Sequence, residues 1–85
     1  MTEIRVSNNI KILTIEDDPV IRQSLVAHLT DLDYDYLEAD NGELGIKLFQ
    51  QEQPDLVLCD LRLPGVDGLE VLSIITQSSP DIPVI

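Results

Sequence analysis

The 85-residue chain contains one cysteine and few basic residues, and each of these low counts excludes a class of structure or of binding partner. Cys59 cannot form a disulfide within the chain, and because it lies in an apolar run it is interpreted as a buried structural thiol. Only five lysines and arginines stand against 16 acidic residues, which gives a net charge of −11. A surface of this sign repels nucleic acids and anionic membranes, so this segment is not expected to bind either directly.

Long apolar runs are also missing. The first nine residues carry polar side chains, no long apolar stretch and no secretory pattern, and no segment of the chain approaches the roughly 20 apolar residues of a membrane helix. We therefore expect a soluble, cytoplasmic protein. Hydrophobic residues nevertheless make up 44% of the chain, which suffices for one small domain. The sequence predicts a polar lead-in over residues 1–9 and a single domain over residues 10–85.

Strands and helices alternate along the chain. Helix starts are indicated by Asp18-Pro19, by Asn41-Gly42 and by Asp67 with Glu70 three residues later, all of which are capping signals. The run from Leu56 to Cys59 is continuously apolar, as is typical of a parallel strand covered on both faces. The predicted strands span residues 10–15, 34–39 (at an edge), 56–59 and 82–85, and the predicted helices span residues 19 to about 32, 43–51 and 69–77.

This β-α-β-α-β-α-β order predicts an α/β fold with a parallel sheet and right-handed crossovers. Helical spacing also predicts which side chains of each helix face the core. These are Val20, Ile21, Leu25, Leu29 and Leu32 in the first helix, Leu44, Leu48 and Phe49 in the second, and Leu69, Val71, Leu72 and Ile75 in the third.

Acidic residues follow two of the predicted strands. Glu16, Asp17 and Asp18 close the first strand, and Asp60 closes the third. Ligands of open α/β sheets bind outside the carboxyl ends of the strands. Carboxylates gathered there repel one another and raise one another's pKa values unless a divalent cation joins them, and hard oxygen ligands suit Mg²⁺. The alternatives are a solvated acidic run and a loop-capping Asp60, whereas Asp18 is interpreted as a helix cap and not as a ligand.

Three motifs in this order resemble the receiver domain of two-component response regulators. They are ILTIEDDP at 12–19, ADNG at 39–42 and PDLVLCDLRLPGVDG at 54–68. The resemblance implies a flavodoxin-like open parallel sheet, present here as the βαβαβαβ portion of a (βα)5 domain. It also implies that Asp60 accepts a phosphoryl group from a sensor histidine kinase or phosphotransfer protein. Asp17, Glu16 and Asp60 would hold Mg²⁺, with the backbone carbonyl of Arg62 completing the metal site.

This sequence matches only the first part of the family pattern, which continues beyond the position of Ile85. The family's hydroxyl residue, lysine and aromatic switch residue would all lie beyond Ile85, so the domain is expected to be truncated after its fourth strand begins. A helix that covers one sheet face in the family would lie there too. Parts of the first and third strands are therefore expected to meet water, which favours self-association of the chain.

The resemblance implies a phosphorylation-dependent switch read by a downstream output domain or partner. It would not be a metabolic enzyme and would show at most self-catalysed phosphotransfer and dephosphorylation. One alternative is a phosphorylation-independent adaptor of the same fold. Another is an aspartate-nucleophile phosphohydrolase, but that pattern requires a second Asp two residues after the nucleophile, where this chain has Arg62.

Overall fold

The computed structural model describes residues 10–63 and 65–85 and contains a parallel sheet with the predicted element order. The elements are β1 (Lys11–Ile15), α1 (Pro19–Asp31), β2 (Asp35–Ala39), α2 (Gly42–Glu52), β3 (Leu56–Cys59) and α3 (Gly68–Ser78). The strands are parallel in the order β2-β1-β3, so β2 lies at an edge of the sheet, as predicted. The predicted lead-in, residues 1–9, lies outside the described residues.

The last predicted strand is present only as a single bridge beside β3. Val57 pairs with Val84 in parallel, and the N–H of Ile85 donates to the carbonyl of Val57 at 2.8 Å. The N–H of Val57 in turn donates to the carbonyl of Pro83 at 3.0 Å. Hydrogen bonds therefore run along both edges of β3, so β3 is an interior strand.

The register of the sheet aligns the ends of all three strands. Ile15 of β1 pairs with Ala39 of β2 on one side and with Cys59 of β3 on the other. The pairing continues one residue beyond the strands. The N–H of Asp60, after β3, donates to the Ile15 carbonyl at 3.0 Å, and the N–H of Glu16, after β1, donates to the Ala39 carbonyl at 2.9 Å. The residues that follow the strands therefore lie side by side at the carboxyl edge.

The main core lies between the sheet and helices α2 and α3. Leu13, Ile15 and Val57 project from the sheet and are fully buried. They pack in one cluster with side chains of both helices, namely Phe49 of α2 and Val71 and Ile75 of α3. This cluster fixes the position of the strands whose ends carry the acidic residues.

The predicted buried faces of the helices are only partly correct. In α1, Leu29 alone is buried and Leu25 is half-buried, whereas Val20, Ile21 and Leu32 are exposed. Leu44 of α2 and Leu69 of α3 are exposed as well. Four of these five lie in the first turn of a helix, next to the carboxyl edge of the sheet, and Leu32 follows the end of α1. Helical spacing predicts which residues share a face, but it does not predict how far the sheet extends beneath that face.

The sheet face opposite the main core is better covered than the sequence predicts. Ile12 and Thr14 of β1 are buried, so the expectation that part of β1 meets water is wrong. The reason is that α1 packs against β1 and β2, while the neighbouring strands flank β1 at both edges. Leu56 and Leu58 of β3 are half-buried, as expected. None of the described helices combines the length and apolar character needed to cross a bilayer.

Candidate functional site

Three carboxylates that follow two neighbouring strands converge at the carboxyl edge of the sheet. One oxygen from each of Glu16, Asp17 and Asp60 lies within 4.8 Å of the other two. Glu16 is buried, Asp60 is half-buried and Asp17 is exposed. The predicted convergence of these three side chains is therefore observed, whereas their roles as ligands and phosphoacceptor stay predictions.

Glu16 is fixed by three hydrogen bonds. Its N–H donates to the Ala39 carbonyl at 2.9 Å, which continues the pairing of β1 with β2. Its carboxylate Oε2 accepts the N–H of Asp18 at 3.1 Å, and its carbonyl accepts Nη1 of Arg22 at 2.8 Å. Burial raises the pKa of the Glu16 carboxyl, the Asp18 amide opposes this, and the neighbouring carboxylates of Asp60 and Asp17 raise it further. The direction agrees with the crowding expected from the sequence.

Asp60 is held at both its backbone and its side chain. Its N–H bonds to β1, and its carboxylate Oδ1 accepts the N–H of Arg62 at 3.0 Å. Gly68 at the start of α3 packs directly on this segment, since a Cβ at that position would overlap the carbonyl oxygen of Asp60. The turn after β3 is therefore closed tightly around Asp60. Arg62 is exposed, and the ligand role of its carbonyl stays a prediction.

Three other acidic residues, two beside the site and one at the opposite edge of the sheet, are occupied by structural hydrogen bonds. Asp18 Oδ1 accepts the N–H of Val20 at 2.9 Å and so caps α1, as predicted. Asp67 caps α3 through the N–H of Glu70 at 2.9 Å. Asp55, which lies before β3, accepts the N–H of Lys11 at 2.8 Å. These contacts separate the three converging carboxylates from the acids that serve helix and turn formation.

The contribution of Glu43 was not predicted from the sequence. This first-turn residue of α2 reaches the turn between β3 and α3, where its Oε1 accepts the N–H of Val66 at 3.2 Å. The neighbouring Gly65 has φ of 72°, a left-handed conformation that favours glycine. The carboxylate of Glu43 lies beside the Gly65 Cα, so a Cβ there would come within 3.0 Å of it. The start of α2 thus anchors the turn that follows Asp60.

Arg22 was missed as well, although its position carries a signal. It is the fourth residue of α1, and a cation near a helix N-terminus is disfavoured by the helix dipole. Such a placement indicates a tertiary partner. Arg22 has two, because it donates to the Glu16 carbonyl and its Nε lies 3.3 Å from the Glu38 carboxylate.

The sequence predicts a buried Cys59, but in the structure this residue is only half-buried, and it lies beside the site. Its Sγ lies 3.3 Å from the carbonyl oxygen of Asp60. Burial, together with the charges of Asp60 and Glu16, raises the pKa of the thiol to about 11. The thiol is therefore protonated at neutral pH and is a poor nucleophile, which agrees with a structural role.

The donor set fits a hard divalent cation. All three candidate ligands are carboxylate oxygens, which suit Mg²⁺ far better than a soft metal. Neither of the two ion pairs in the described part of the chain, Lys11–Glu52 and Arg22–Glu38, involves these carboxylates. The exposed side of Asp17 leaves room for water, which Mg²⁺ usually retains.

Comparisons with known proteins agree with this architecture. The family model for the response regulator receiver domain matches residues 12–85. The transcriptional regulatory protein AfsQ1 of Streptomyces coelicolor is 40% identical over 74 residues, which cover 87% of this chain and 32% of AfsQ1. Response regulator GacA of Pseudomonas syringae is 36% identical over 78 residues, which cover 89% of this chain and 36% of GacA. This chain thus spans about a third of the length of these relatives.

Solved structures confirm the flavodoxin-like α/β fold. Response regulator TrrA of Thermotoga maritima, solved in complex with Mg²⁺-BeF, superposes with a TM-score of 0.84 at 36% identity, covering 88% of this chain and 65% of TrrA. Chemotaxis protein CheY4 of Vibrio cholerae gives a TM-score of 0.83 at 26% identity, covering 89% of this chain and 65% of CheY4. Because the family model matches almost all of the described residues, this chain belongs to the response regulator receiver domain family, whose domains are phosphorylation-dependent switches of two-component signalling.

Proposed function

We propose that Asp60 is the phosphoacceptor of this receiver domain and that Glu16, Asp17 and Asp60 hold Mg²⁺ beside it. The observation that carries the proposal is the convergence of the three carboxylates within 4.8 Å at the carboxyl edge of the sheet. Asp60 is the best acceptor of the three. Glu16 is buried, whereas Asp60 is half-buried, and of the three it is Asp60, at the end of β3, that matches the phosphoacceptor of the receiver domain family. The Mg²⁺-BeF bound to TrrA supports the choice of cation.

The chemistry follows from the position of Asp60. An oxygen of its carboxylate attacks the phosphorus of a phosphohistidine, so that a new O–P bond forms and the P–N bond breaks. The electron pair of that bond stays on the imidazole nitrogen, which takes a proton from solvent. Arg62, through its N–H, holds Oδ1 of Asp60 and fixes the direction of the carboxylate. Mg²⁺, when bound, supplies positive charge that offsets the repulsion between the carboxylate and the phosphoryl oxygens.

The partner in this step is a sensor histidine kinase or a phosphotransfer protein. Exposed apolar side chains lie close to the acidic residues in sequence: Val20 and Ile21 come two and three residues after Asp18, and Leu61 directly follows Asp60. They offer a contact surface beside the site without shielding Asp60. A downstream output domain or protein then responds to the phosphorylated form. The domain is regulatory, and any catalysis is limited to its own phosphorylation and dephosphorylation.

Phosphorylation by a small donor tests the assignment of Asp60. The protein is incubated with phosphoramidate and Mg²⁺, and the added phosphoryl group is detected by intact-mass spectrometry. We expect labelling of the wild type and no labelling of Asp60→Asn. Asp81→Asn is the matched control, since it removes one exposed carboxylate after α3, outside the cluster. Equal labelling of Asp60→Asn would exclude Asp60 as acceptor, and an unlabelled wild type would favour a phosphorylation-independent adaptor.

A further inference from the structure

Arg22 connects three elements at the carboxyl edge of the sheet. It lies on α1, and its side chain is only 19% exposed. Its Nη1 donates to the backbone carbonyl of Glu16 at 2.8 Å, just beyond β1. Its Nε lies 3.3 Å from Oε1 of Glu38 on β2. The planar guanidinium is therefore held by two partners, one a backbone carbonyl and the other a carboxylate.

The carbonyl that Arg22 holds belongs to the peptide joining Glu16 to Asp17. Because a peptide unit is planar, fixing this oxygen also fixes the direction in which the chain enters Asp17. The preceding peptide is fixed separately, through the N–H of Glu16 and the carbonyl of Ala39. Without Arg22, the Glu16–Asp17 peptide would lose the one hydrogen bond that the described residues give its carbonyl oxygen.

We propose that Arg22 is a positioning residue of the acidic site. Its guanidinium fixes the Glu16–Asp17 peptide and thereby places two of the three proposed ligands. The inference rests on the proposed function, since it assigns Arg22 a task only if those carboxylates bind a cation. Residues that orient metal ligands typically change metal affinity by roughly 10–100-fold when they are removed. Glu38 supports this task by holding Nε, which keeps the fork of the guanidinium aimed at the carbonyl.

If Arg22 is removed, the loss of its charge and the loss of its hydrogen bond are expected to change the Mg²⁺ affinity in opposite directions. Removal of a positive charge near the site makes the site more negative, so an effect of charge alone would tighten Mg²⁺ binding by roughly two- to fivefold. Loss of the hydrogen bond to the Glu16 carbonyl frees the ligands to rotate and weakens binding. The sign of the change in affinity therefore separates the two roles.

Calorimetric titration with Mg²⁺ alone tests the inference. We expect Arg22→Ala to bind about tenfold more weakly than the wild type. Arg22→Lys keeps the charge but cannot hold both partners, so it should also weaken binding. Lys47→Ala is the matched control, because it removes one exposed cation of α2 and should leave binding unchanged or slightly tighter.

Each outcome of the titration has one meaning. Binding by Arg22→Ala that equals or exceeds that of the wild type overturns the positioning role, while the proposed metal site stands. Failure of the wild type to bind Mg²⁺ overturns the proposed function itself. Thermal unfolding of each variant without metal shows whether it is folded. If Arg22→Ala does not fold, Arg22→Lys decides, and wild-type affinity in that variant counts against the inference.

Discussion

Replacement of Asp60 by Asn is predicted to stabilise the metal-free protein and to abolish its response to Mg²⁺. In the wild type, the Asp60 carboxylate faces two others, with oxygens within 4.8 Å. Two unit charges at this separation repel by about 0.9 kcal/mol in water and by more where they are partly buried. Two such pairs give about 2 kcal/mol, and salt and the exposure of Asp17 reduce this to about 1–2 kcal/mol. The Asn carbonyl oxygen can still accept the Arg62 N–H, so that hydrogen bond is kept.

The stabilisation should depend on pH through Glu16. Burial and the neighbouring carboxylates raise the pKa of Glu16 above its ordinary value of 4.5. A raised pKa means that the folded state binds this proton more tightly than the unfolded state does. The resulting stability is fully present below pH 4.5 and is lost as the pH rises through the folded-state pKa. Asp60→Asn removes part of the repulsion, so its advantage over the wild type should widen as the pH rises from 4.5 to 7.

Thermal and urea unfolding measure both effects. In chelator at pH 7, Asp60→Asn should unfold about 5 °C or more above the wild type. Mg²⁺ at ten times its dissociation constant should stabilise the wild type by roughly 1.4 kcal/mol and the variant far less. Asp81→Asn has the same change in net charge and should behave as the wild type. If Asp60→Asn is no more stable than the wild type, or if Mg²⁺ stabilises both equally, the three carboxylates do not form one cation site.

Three further predictions concern residues around the site. Thr14 has the one buried side-chain oxygen without a hydrogen-bond partner among the described residues, so Thr14→Val should raise the free energy of unfolding by about 1 kcal/mol, and a lower urea midpoint would contradict this. Gly68→Ala forces a Cβ against the Asp60 backbone and should lower stability by about 1–3 kcal/mol while weakening Mg²⁺ binding; calorimetry that shows unchanged affinity would refute the close approach. Cys59, with its pKa raised to about 11, should react with iodoacetamide at pH 8 far more slowly in the native protein than in urea, and equal rates would disprove its protection.

Local signals in the sequence predicted most of the fold. Asp18, Asn41 and Asp67 cap the three helices that their positions predict, because a cap is formed between residues close in sequence. Parallel pairing follows from the alternation of strands and helices. The buried faces were predicted less well. Val20 and Leu69 have the spacing of core residues, yet both are exposed in the first turn of their helices.

The candidate site, like the fold, has a part that could be predicted from the sequence and a part that could not. The gathering of Glu16, Asp17 and Asp60 at one edge could be predicted, since all strands of a parallel sheet end at the same edge. The hydrogen bonds that hold the site could not. Arg22 reaches Glu16 and Glu38 across three elements, and Glu43 reaches the turn after β3. A long side chain has many rotamers, and its partner is chosen only once distant segments are packed together.

The sequence by itself determined the order of strands and helices, their caps and the edge of the sheet at which the acids gather. These depend on backbone preferences and on the two-residue and 3.6-residue periods, which are read along the chain. Only the tertiary structure decided that β1 lies between β2 and β3, that Ile12 and Thr14 are buried, and that Arg22 and Glu43 hold the site. Those contacts join residues far apart in sequence, and their energies exist only when the packed sheet and helices bring the partners together.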